Sequence, residues 1–573
     1  MEHKELKTTF NRWKPIEIML AVLFLVAPFY YHPNIGGEGL RIPNNITVWM
    51  VATIIIGYSF HLVLKRPTFV IPKYFSYITA FPILITLSGF ITGVEQPLTW
   101  LFRLLFIWGG LAFFFSLFQH GLKQGRLDRI LFVIVVSALF QGLVGIAQIW
   151  LQADMPFWLP NSPNGVQSGL FQQINNQATY QVTAIMIAGY LITRPLLTHG
   201  KQWMSVVLII TVAGAGFLVA VSGSRIGALT LILGLLIIIP ALWQRFKANK
   251  KLVMLTAMAL LVGVSFGVVQ GNSHAIDKAV AMQSGYSGSA RLGIYTIAVD
   301  LIKQQPVFGH GIGSFGRVFQ YAKPEFYQSH PEAVLPNQYV THPHNESLFW
   351  LVECGVIAGM GLLIVLIGII LVLKRLDWQR GGAYMAILLP MGLHTQVELP
   401  LYTSAIHWML LLFLVMMMFN HIVFYKCLHM SAIAIKLANF LAAMLIVLAL
   451  LFLAHTIQSH YDYIDFYQET KPNQEPFRNA SVNPYLRAET QWINMSSVLY
   501  SSMQLGFPDN VRAYVKWGEL LLVEKPDVKL YEKLADSYRY LGDFNAFCNV
   551  INRGLLLYPD NTSFKQALLS CNK

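Results

Sequence analysis

Two histidines and an asparagine, His342, His344 and Asn345 in the stretch THPHNESLFW, stand at the start of a long apolar run. Imidazole titrates near neutrality, so a histidine placed there is suited to take the proton from an alcohol as its oxygen attacks. The competing readings are a solvated loop and the polar start of a helix, with Asn345 and Glu346 either orienting an imidazole or capping that helix. HxH spacing also suits metal ligands, but a zinc site needs further partners, and His310 and His330 are only loose candidates. Four more polar patches interrupt apolar sequence. They are SGSR with Arg225, SGSARLGIY with Arg291, GLFQQINNQATYQ with Gln172, Gln173, Asn175, Asn176 and Gln177, and HTQVELPLY with His394, Glu398 and Tyr402. Ionisable groups are costly in lipid, so these patches are the informative ones.

Arg225 sits where a short SGS turn separates two apolar runs. It either snorkels to the interface or presents a fixed guanidinium that binds an anionic headgroup through paired hydrogen bonds. Arg291 opens the amphipathic stretch RLGIYTIAVDLIK, where its charge opposes the helix dipole. A residue set against local preference points to a ligand; a solvated helix surface is the alternative. Arg103 lies inside an apolar run and suits either a phosphate contact or a structural ion pair. In HTQVELPLY, Pro400 is expected to break the helix and leave Glu398 and Tyr402 near the outer surface, with packing of a proline kink as the alternative. The glycines of GHGIGSFG do not follow a strand in a βαβ setting, so they read as turn formers rather than a nucleotide cradle.

The elements that must hold these residues are membrane helices. The 573-residue chain is 55% hydrophobic and 12% charged, and apolar runs of about 20 residues recur along it. The fold class expected is all-α: a polytopic bundle of about 13 transmembrane helices followed by a soluble helical domain. The spans are predicted near 15–31, 46–64, 74–93, 98–118, 130–151, 175–193, 203–221, 226–243, 252–270, 346–373, 381–396, 403–424 and 433–455. The N-terminal MEHKELKTTFNRWK precedes an apolar run with no small-residue cleavage site, so the first span reads as retained. Lys and Arg set the orientation. The segments predicted on one side hold 21 of them, whereas the short loops opposite hold only Arg41 and Arg225. The first side is therefore expected to be cytoplasmic, with residues 152–174, 271–345 and 456–573 outside. The formal charge is +13, but residues 456–573 carry 12 Lys and Arg against 13 Asp and Glu, so the excess belongs to the membrane part and nucleic acid is disfavoured as a partner.

Two domains are thus expected: residues 1–455, a membrane domain with a functional external loop at 271–345, and residues 456–573, a helical domain. In the latter, ADSYRYLGDFNAFCNVINRGLLLYPDN carries Ala, Tyr, Gly, Ala and Pro spaced as in the second half of a tetratricopeptide unit. Cys548 and Cys571 lie in this tail, and a disulfide between them is possible if the tail stands in an oxidising compartment.

Taken in order, GLFQQINNQ, SGSR, the Arg-led helix with PVFGHGIGSF, HPHNESLFWLVECGVIAG and VELPLY resemble the O-antigen ligase and polymerase superfamily. They resemble more particularly its bacterial protein O-oligosaccharyltransferase branch, the PglL-like enzymes. In VELPLY, Leu399 stands where that branch usually has an aromatic residue. The tail, with NPYLRAE at 483–489, agrees with the branch, since plain lipopolysaccharide ligases usually lack such a domain.

The resemblance implies transfer of an oligosaccharide from a polyprenyl diphosphate carrier to a Ser or Thr hydroxyl of a periplasmic protein, a pilin among the candidates, at the inner membrane and without metal or other cofactor. His344 takes the family's catalytic position, and Arg225 and Arg291 take the positions that engage the lipid diphosphate. Gln173 or Gln177, with Asn176, Tyr402, Glu398, His342 and Arg103, are the candidate substrate contacts. Attack on the anomeric carbon from the face opposite the leaving diphosphate predicts inversion. A glycan acceptor, as in O-antigen ligases and polysaccharide polymerases, is the alternative. A lipid-linked glycan transporter is a second, against which stand the lack of an internal repeat and of paired interrupted helices.

Overall fold

The computed structural model describes residues 13–94, 96–283, 289–468 and 476–571, with backbone alone at 272–283 and 289. Residues 1–12 of the N-terminal stretch, and Ser287 and Gly288 of the SGSARLGIY patch, lie outside the described residues. A helix stands in each of the thirteen predicted windows. Eight helical stretches among the described residues are long and apolar enough to cross a bilayer; one of these, Arg225–Gly271, contains two of the predicted spans. Pro15–Phe29 and Ala405–Phe419 are shorter apolar helices. Leu261, Val262, Leu445 and Leu451 are apolar and exposed along their helices, as lipid-facing side chains are. By contrast Ile174–Leu191, which carries Asn176, Gln177, Thr179 and Gln181, is buried along most of its length.

Several predicted boundaries move. The span expected at 130–151 begins at Gln124, because Arg126 and Arg129 both bind the buried carboxylate of Glu17 and Asp128 binds Arg194. These partners extend the helix into sequence whose charges read as a loop. The span expected to end at 270 continues to Gln283, so the loop expected at 271–345 begins inside a helix. The domain boundary expected at 455/456 falls within helix Ala432–Gln468. That helix is about 55 Å long at 1.5 Å per residue, well beyond the roughly 30 Å hydrocarbon core.

A small sheet was not expected. Strands Thr68–Pro72 and Val423–Cys427 pair antiparallel, with Thr68 opposite Cys427 and Pro72 opposite Val423. Their sequences, TFVIP and VFYKC, are rich in β-branched and aromatic residues. Gln119 bridges Val70, accepting from its N–H at 3.0 Å and donating to its C=O at 2.8 Å, so one residue of that strand's other edge is satisfied.

The chain divides into two compact units. One comprises Met1–Thr79, Phe106–Ile276 and Ile364–Pro476; the other comprises Ala80–Leu105, Asp277–Leu363 and Phe477–Lys573. The second unit joins the loop carrying the histidines to the C-terminal helices Arg487–Leu505, Pro508–Glu524, Val528–Leu541, Phe544–Leu557 and Thr562–Cys571. Leu499, Val511, Leu522, Leu534, Phe547 and Ile551 form the core of those helices. Asp527 and Asp543 cap two of them through their side chains. Cys548 and Cys571 are disulfide-bonded.

Helix Phe315–Ser329 of the loop packs on this tail. The Tyr321 hydroxyl donates to the Leu522 carbonyl at 3.2 Å, and Lys323 lies buried with its ammonium 4.4 Å from the Tyr558 ring centre. Burial pushes the Lys323 pKa down to about 7, with Asp560 opposing the shift. Because the unfolded chain binds this proton up to about pH 10, the folded state is penalised fully below pH 7 and progressively less as pH rises. Lys323→Met is therefore expected to raise the melting midpoint by about 3 °C or more at pH 6. The advantage over the parent should shrink by pH 9; scanning fluorimetry at the two pH values checks the sign.

Candidate functional site

The turn before helix Glu346–Leu373 holds the two histidines in a defined arrangement. His344 has φ +53°, a left-handed backbone that a non-glycine residue adopts at a cost of about 1 kcal/mol. Its N–H donates to His342 Nδ1 at 3.2 Å, which makes that nitrogen an acceptor and puts the proton of a neutral His342 on Nε2. The two rings lie 4.4 Å apart, edge to face. Asn345 Oδ1 accepts the Leu348 N–H at 2.9 Å and so caps the helix, while Glu346 accepts from the Trp350 indole at 2.9 Å. Of the two roles open to Asn345 and Glu346, the structure gives Asn345 the capping one.

Helix Ser289–Gln304 stands beside this turn. The Tyr295 hydroxyl reaches the His344 carbonyl at 3.4 Å, and Arg291 lies one turn earlier on the same face. The Arg-led helix and the HPHN turn, two patches separated by about fifty residues, are thus brought together within one compact unit.

The same unit contains a feature that the sequence reading passed over. Helix Glu346–Leu373 is broken at Gly355 (φ +63°, ψ −161°). A regular helix would bond the Val356 and Ile357 N–H groups to the Val352 and Glu353 carbonyls. Instead those N–H groups donate to Pro306 at 2.8 Å and Val307 at 3.4 Å, while the two carbonyls accept from His310 at 2.9 Å and Gly311 at 2.8 Å. PVFGHG is spliced into the break and supplies both sets of missing partners, as buried backbone requires. Contact is close enough to require glycine. A Cβ at Gly309 would lie 2.5 Å from the Cys354 nitrogen, and one at Gly355 would lie 2.3 Å from the Val307 carbonyl. The glycines expected to form a turn form this splice.

Arg103 ion-pairs with Glu353, whose side chain is 1% exposed, and its guanidinium lies 4.5 Å from the Phe349 ring centre. Glu353 also accepts the Gly313 N–H at 3.0 Å and the Phe315 N–H at 3.4 Å. Of the two readings of Arg103, the structure shows the ion pair. Removing one partner of such a buried pair typically destabilises by about 3–5 kcal/mol. The signal was present in the sequence: an acid inside one apolar run and a base inside another call for a common explanation.

The other three patches meet within the first compact unit. Gln173 Oε1 accepts the Asn176 N–H at 2.6 Å and caps helix Ile174–Leu191. The Ser224 hydroxyl of SGSR donates to Asn175 Oδ1 at 2.8 Å, and Ser224 caps the helix that Arg225 begins. The Arg225 side chain is exposed. Asn176 Nδ2 donates to the Thr403 hydroxyl at 2.7 Å, tying this loop to the VELPLY segment. Gln177 is buried and donates to the Gln141 carbonyl at 3.0 Å, while its own Oε1 has no partner.

Pro400 does not break a helix. Helix Trp378–His394 ends before it, and Pro400 instead opens the short turn Pro400–Thr403, because proline suits a first helical turn whose N–H would be unused. Glu398 precedes that turn, Tyr402 lies within it, and both are half-buried. Against that turn lie two residues that the sequence did not flag, Asn45 and His407. Asn45 donates to the Thr403 carbonyl at 3.0 Å and accepts the Ala405 N–H at 2.7 Å. His407 bonds the Asn176 carbonyl at 3.1 Å through Nε2, which must carry the proton, and so accepts from Ser404 at Nδ1. His394 Nδ1 bonds Thr179 at 2.8 Å. Among the described residues, no group of three or more His, Cys, Asp or Glu converges as metal ligands would.

Residues 207–363 match the family model described as O-Antigen ligase. Residues 383–570 match the one described as Virulence factor membrane-bound polymerase, C-terminal. The first match takes in Arg225, Arg291, His342, His344 and Glu353; the second takes in Glu398, Tyr402 and the tail. Among curated proteins no match is found.

Proposed function

The chain belongs to the O-antigen ligase and polymerase superfamily, a group of glycan-transferring membrane enzymes, and from that premise we propose that it is a protein O-oligosaccharyltransferase. It would move a glycan en bloc from a polyprenyl diphosphate to Ser or Thr of proteins outside the inner membrane. His344 removes the acceptor proton as its oxygen attacks the anomeric carbon. The bond from that carbon to the diphosphate breaks, the configuration inverts, and the diphosphate leaves with the electron pair. Arg225 and Arg291 are assigned to the charge that grows on the leaving group, a role in which a preplaced guanidinium acts more on the transition state than on the ground state.

The observation that carries the reading is the His344 turn. A histidine is held in left-handed backbone with Tyr295, on the Arg291 helix, against its carbonyl. Candidate base and candidate anion binder are thereby tied to one framework. In support of a protein acceptor is the helical tail, which plain lipopolysaccharide ligases usually lack. The match to a polymerase family over 383–570 favours the second reading, in which the acceptor is another glycan.

Co-expression with a lipid-linked glycan pathway and candidate acceptors, pilins included, tests the choice. Mass spectrometry is expected to find intact glycan on Ser or Thr of proteins. Glycan found only on lipid A core, or only as lengthened polysaccharide, would move the chain to the second reading.

Orientation is tested separately. The Cys548–Cys571 disulfide supports an oxidising side for the tail, whereas Cys427, exposed on its strand, belongs to a segment expected to face the cytoplasm. On intact spheroplasts an impermeant maleimide is expected to label Cys548 and Cys571 only after reduction, and Cys427 only after the membrane is opened. Labelling of Cys427 from outside would invert the topology.

A further inference from the structure

We infer that Glu353 is a positioning residue of the transfer reaction, which with Arg103 holds in place the turn that presents His344. The inference rests on the proposed reading of His344 as the base.

Glu353 is almost wholly buried, and its carboxylate gathers three elements: Arg103 on helix Pro97–Phe118, the Gly313 N–H of the spliced segment, and the Phe315 N–H at the start of helix Phe315–Ser329. Its own backbone carbonyl takes the Gly311 N–H. The three N–H contacts fix the glycine-rich splice and the helix after it against the broken helix, and the Arg103 pair ties that helix to Pro97–Phe118. The break needs such a clamp, because the splice provides four of the hydrogen bonds that the broken turn and the segment itself would otherwise lack in a membrane protein interior.

The clamp reaches the histidine turn along one helix face. Asn345, Phe349 and Glu353 are spaced by four residues and share that face. Arg103 spans the lower part of it, paired with Glu353 and packed over the Phe349 ring. Phe349 in turn packs edge to face with Phe315, the residue whose N–H the carboxylate holds. Asn345, at the top of the face, caps the helix next to His344. Glu353 lies two turns below, roughly 12 Å along the axis, too far to touch the reacting atoms. It can act only by fixing where the helix begins and how its first turn is aimed. Arg103 is accordingly assigned to this carboxylate and not to a substrate phosphate.

The test uses purified full-length protein, a synthetic polyprenyl diphosphate-linked disaccharide as donor and the acceptor found by co-expression. Turnover by the parent protein is established first; its absence would count against the proposed function, not against the clamp, which hydrogen exchange reads independently. Glu353→Gln and Arg103→Lys are each expected to lower kcat about tenfold or more while changing the donor KM less than about threefold. The double variant Arg103→Leu/Glu353→Leu, which leaves no buried charge unpaired but removes the acceptor of the Gly313 and Phe315 N–H groups, should also lower kcat about tenfold or more. In both single variants, amide exchange in 306–315 and 345–349 should quicken at least about tenfold while 528–557 stays protected. If Glu353→Gln also exposes 528–557, Arg103→Lys, which keeps a cation beside the carboxylate, is judged by the same criteria. Unchanged exchange, or a loss confined to donor KM in Arg103→Lys with Glu353→Gln active, overturns the inference.

Discussion

His344→Ala is expected to remove glycan transfer, with kcat falling by about 10²–10⁴-fold, the range that a positioned general base contributes. The turn itself should survive, because two of its hydrogen bonds use the backbone of residue 344, the N–H to His342 and the carbonyl to Tyr295, and remain when the ring packed on His342 is removed. The complication is the positive φ, which alanine tolerates poorly. His344→Asn resolves it, since asparagine accepts left-handed backbone readily yet cannot take a proton at neutral pH. Equal loss in both variants, with unchanged thermal midpoints, assigns the effect to the imidazole. His342→Ala removes an acceptor for the His344 N–H and should weaken turnover less. Glycan occupancy of the acceptor by mass spectrometry, with melting curves on the purified variants, reads all three, and near-parental occupancy in His344→Asn would exclude His344 as the base.

Gly355→Ala is expected to be severely damaging, because it adds both backbone strain and a clash with a neighbouring main chain. At φ +63° and ψ −161° the backbone lies in a region that is essentially glycine-only, and the added Cβ would sit 2.3 Å from the Val307 carbonyl. Relief would require the spliced segment to withdraw, which strands the hydrogen bonds that Pro306, Val307, His310 and Gly311 make with the broken turn. Strain and lost bonds together exceed about 3 kcal/mol. Low yield, a melting midpoint lowered by several degrees and loss of transfer are the expected results. Gly392→Ala is the control: nothing lies within 4 Å of a Cβ there, and alanine favours the helix that contains it. If Gly355→Ala behaved like Gly392→Ala, the splice would not hold the helix break.

The two compact units sort the candidate residues in a way that spacing along the chain did not foreshadow. Gln173, Asn175, Asn176, Ser224 and Thr403 are joined by short hydrogen bonds in one unit; Tyr295, His342, His344 and the Arg103–Glu353 pair lie in the other. Several residues that the sequence offers as candidate substrate contacts also carry structural duties. Gln173 caps a helix, Asn176 ties two loops together, and Gln177 is buried against a neighbouring helix. Substitutions at these positions therefore need a folding measurement beside the activity measurement.

What the sequence determined by itself is what depends on neighbours in the chain. Apolar runs of membrane length specify where helices lie, because burying an unsatisfied backbone in lipid is too costly for any other local structure. The distribution of Lys and Arg sets the expected orientation, and Asn345 and Ser224 cap the helices that follow them through side chains only a few residues away. Tertiary structure alone decided what depends on distant partners. Arg103 meets Glu353 across 250 positions, strand Thr68–Pro72 meets Val423–Cys427, and the missing hydrogen bonds of a broken helix are supplied by a segment some fifty residues earlier. A hydropathy pattern records that a residue is apolar or charged, but not which remote group will satisfy it. A glycine at 355 inside an apolar run reads as a minor loss of helix propensity until the carbonyl that must approach it is known.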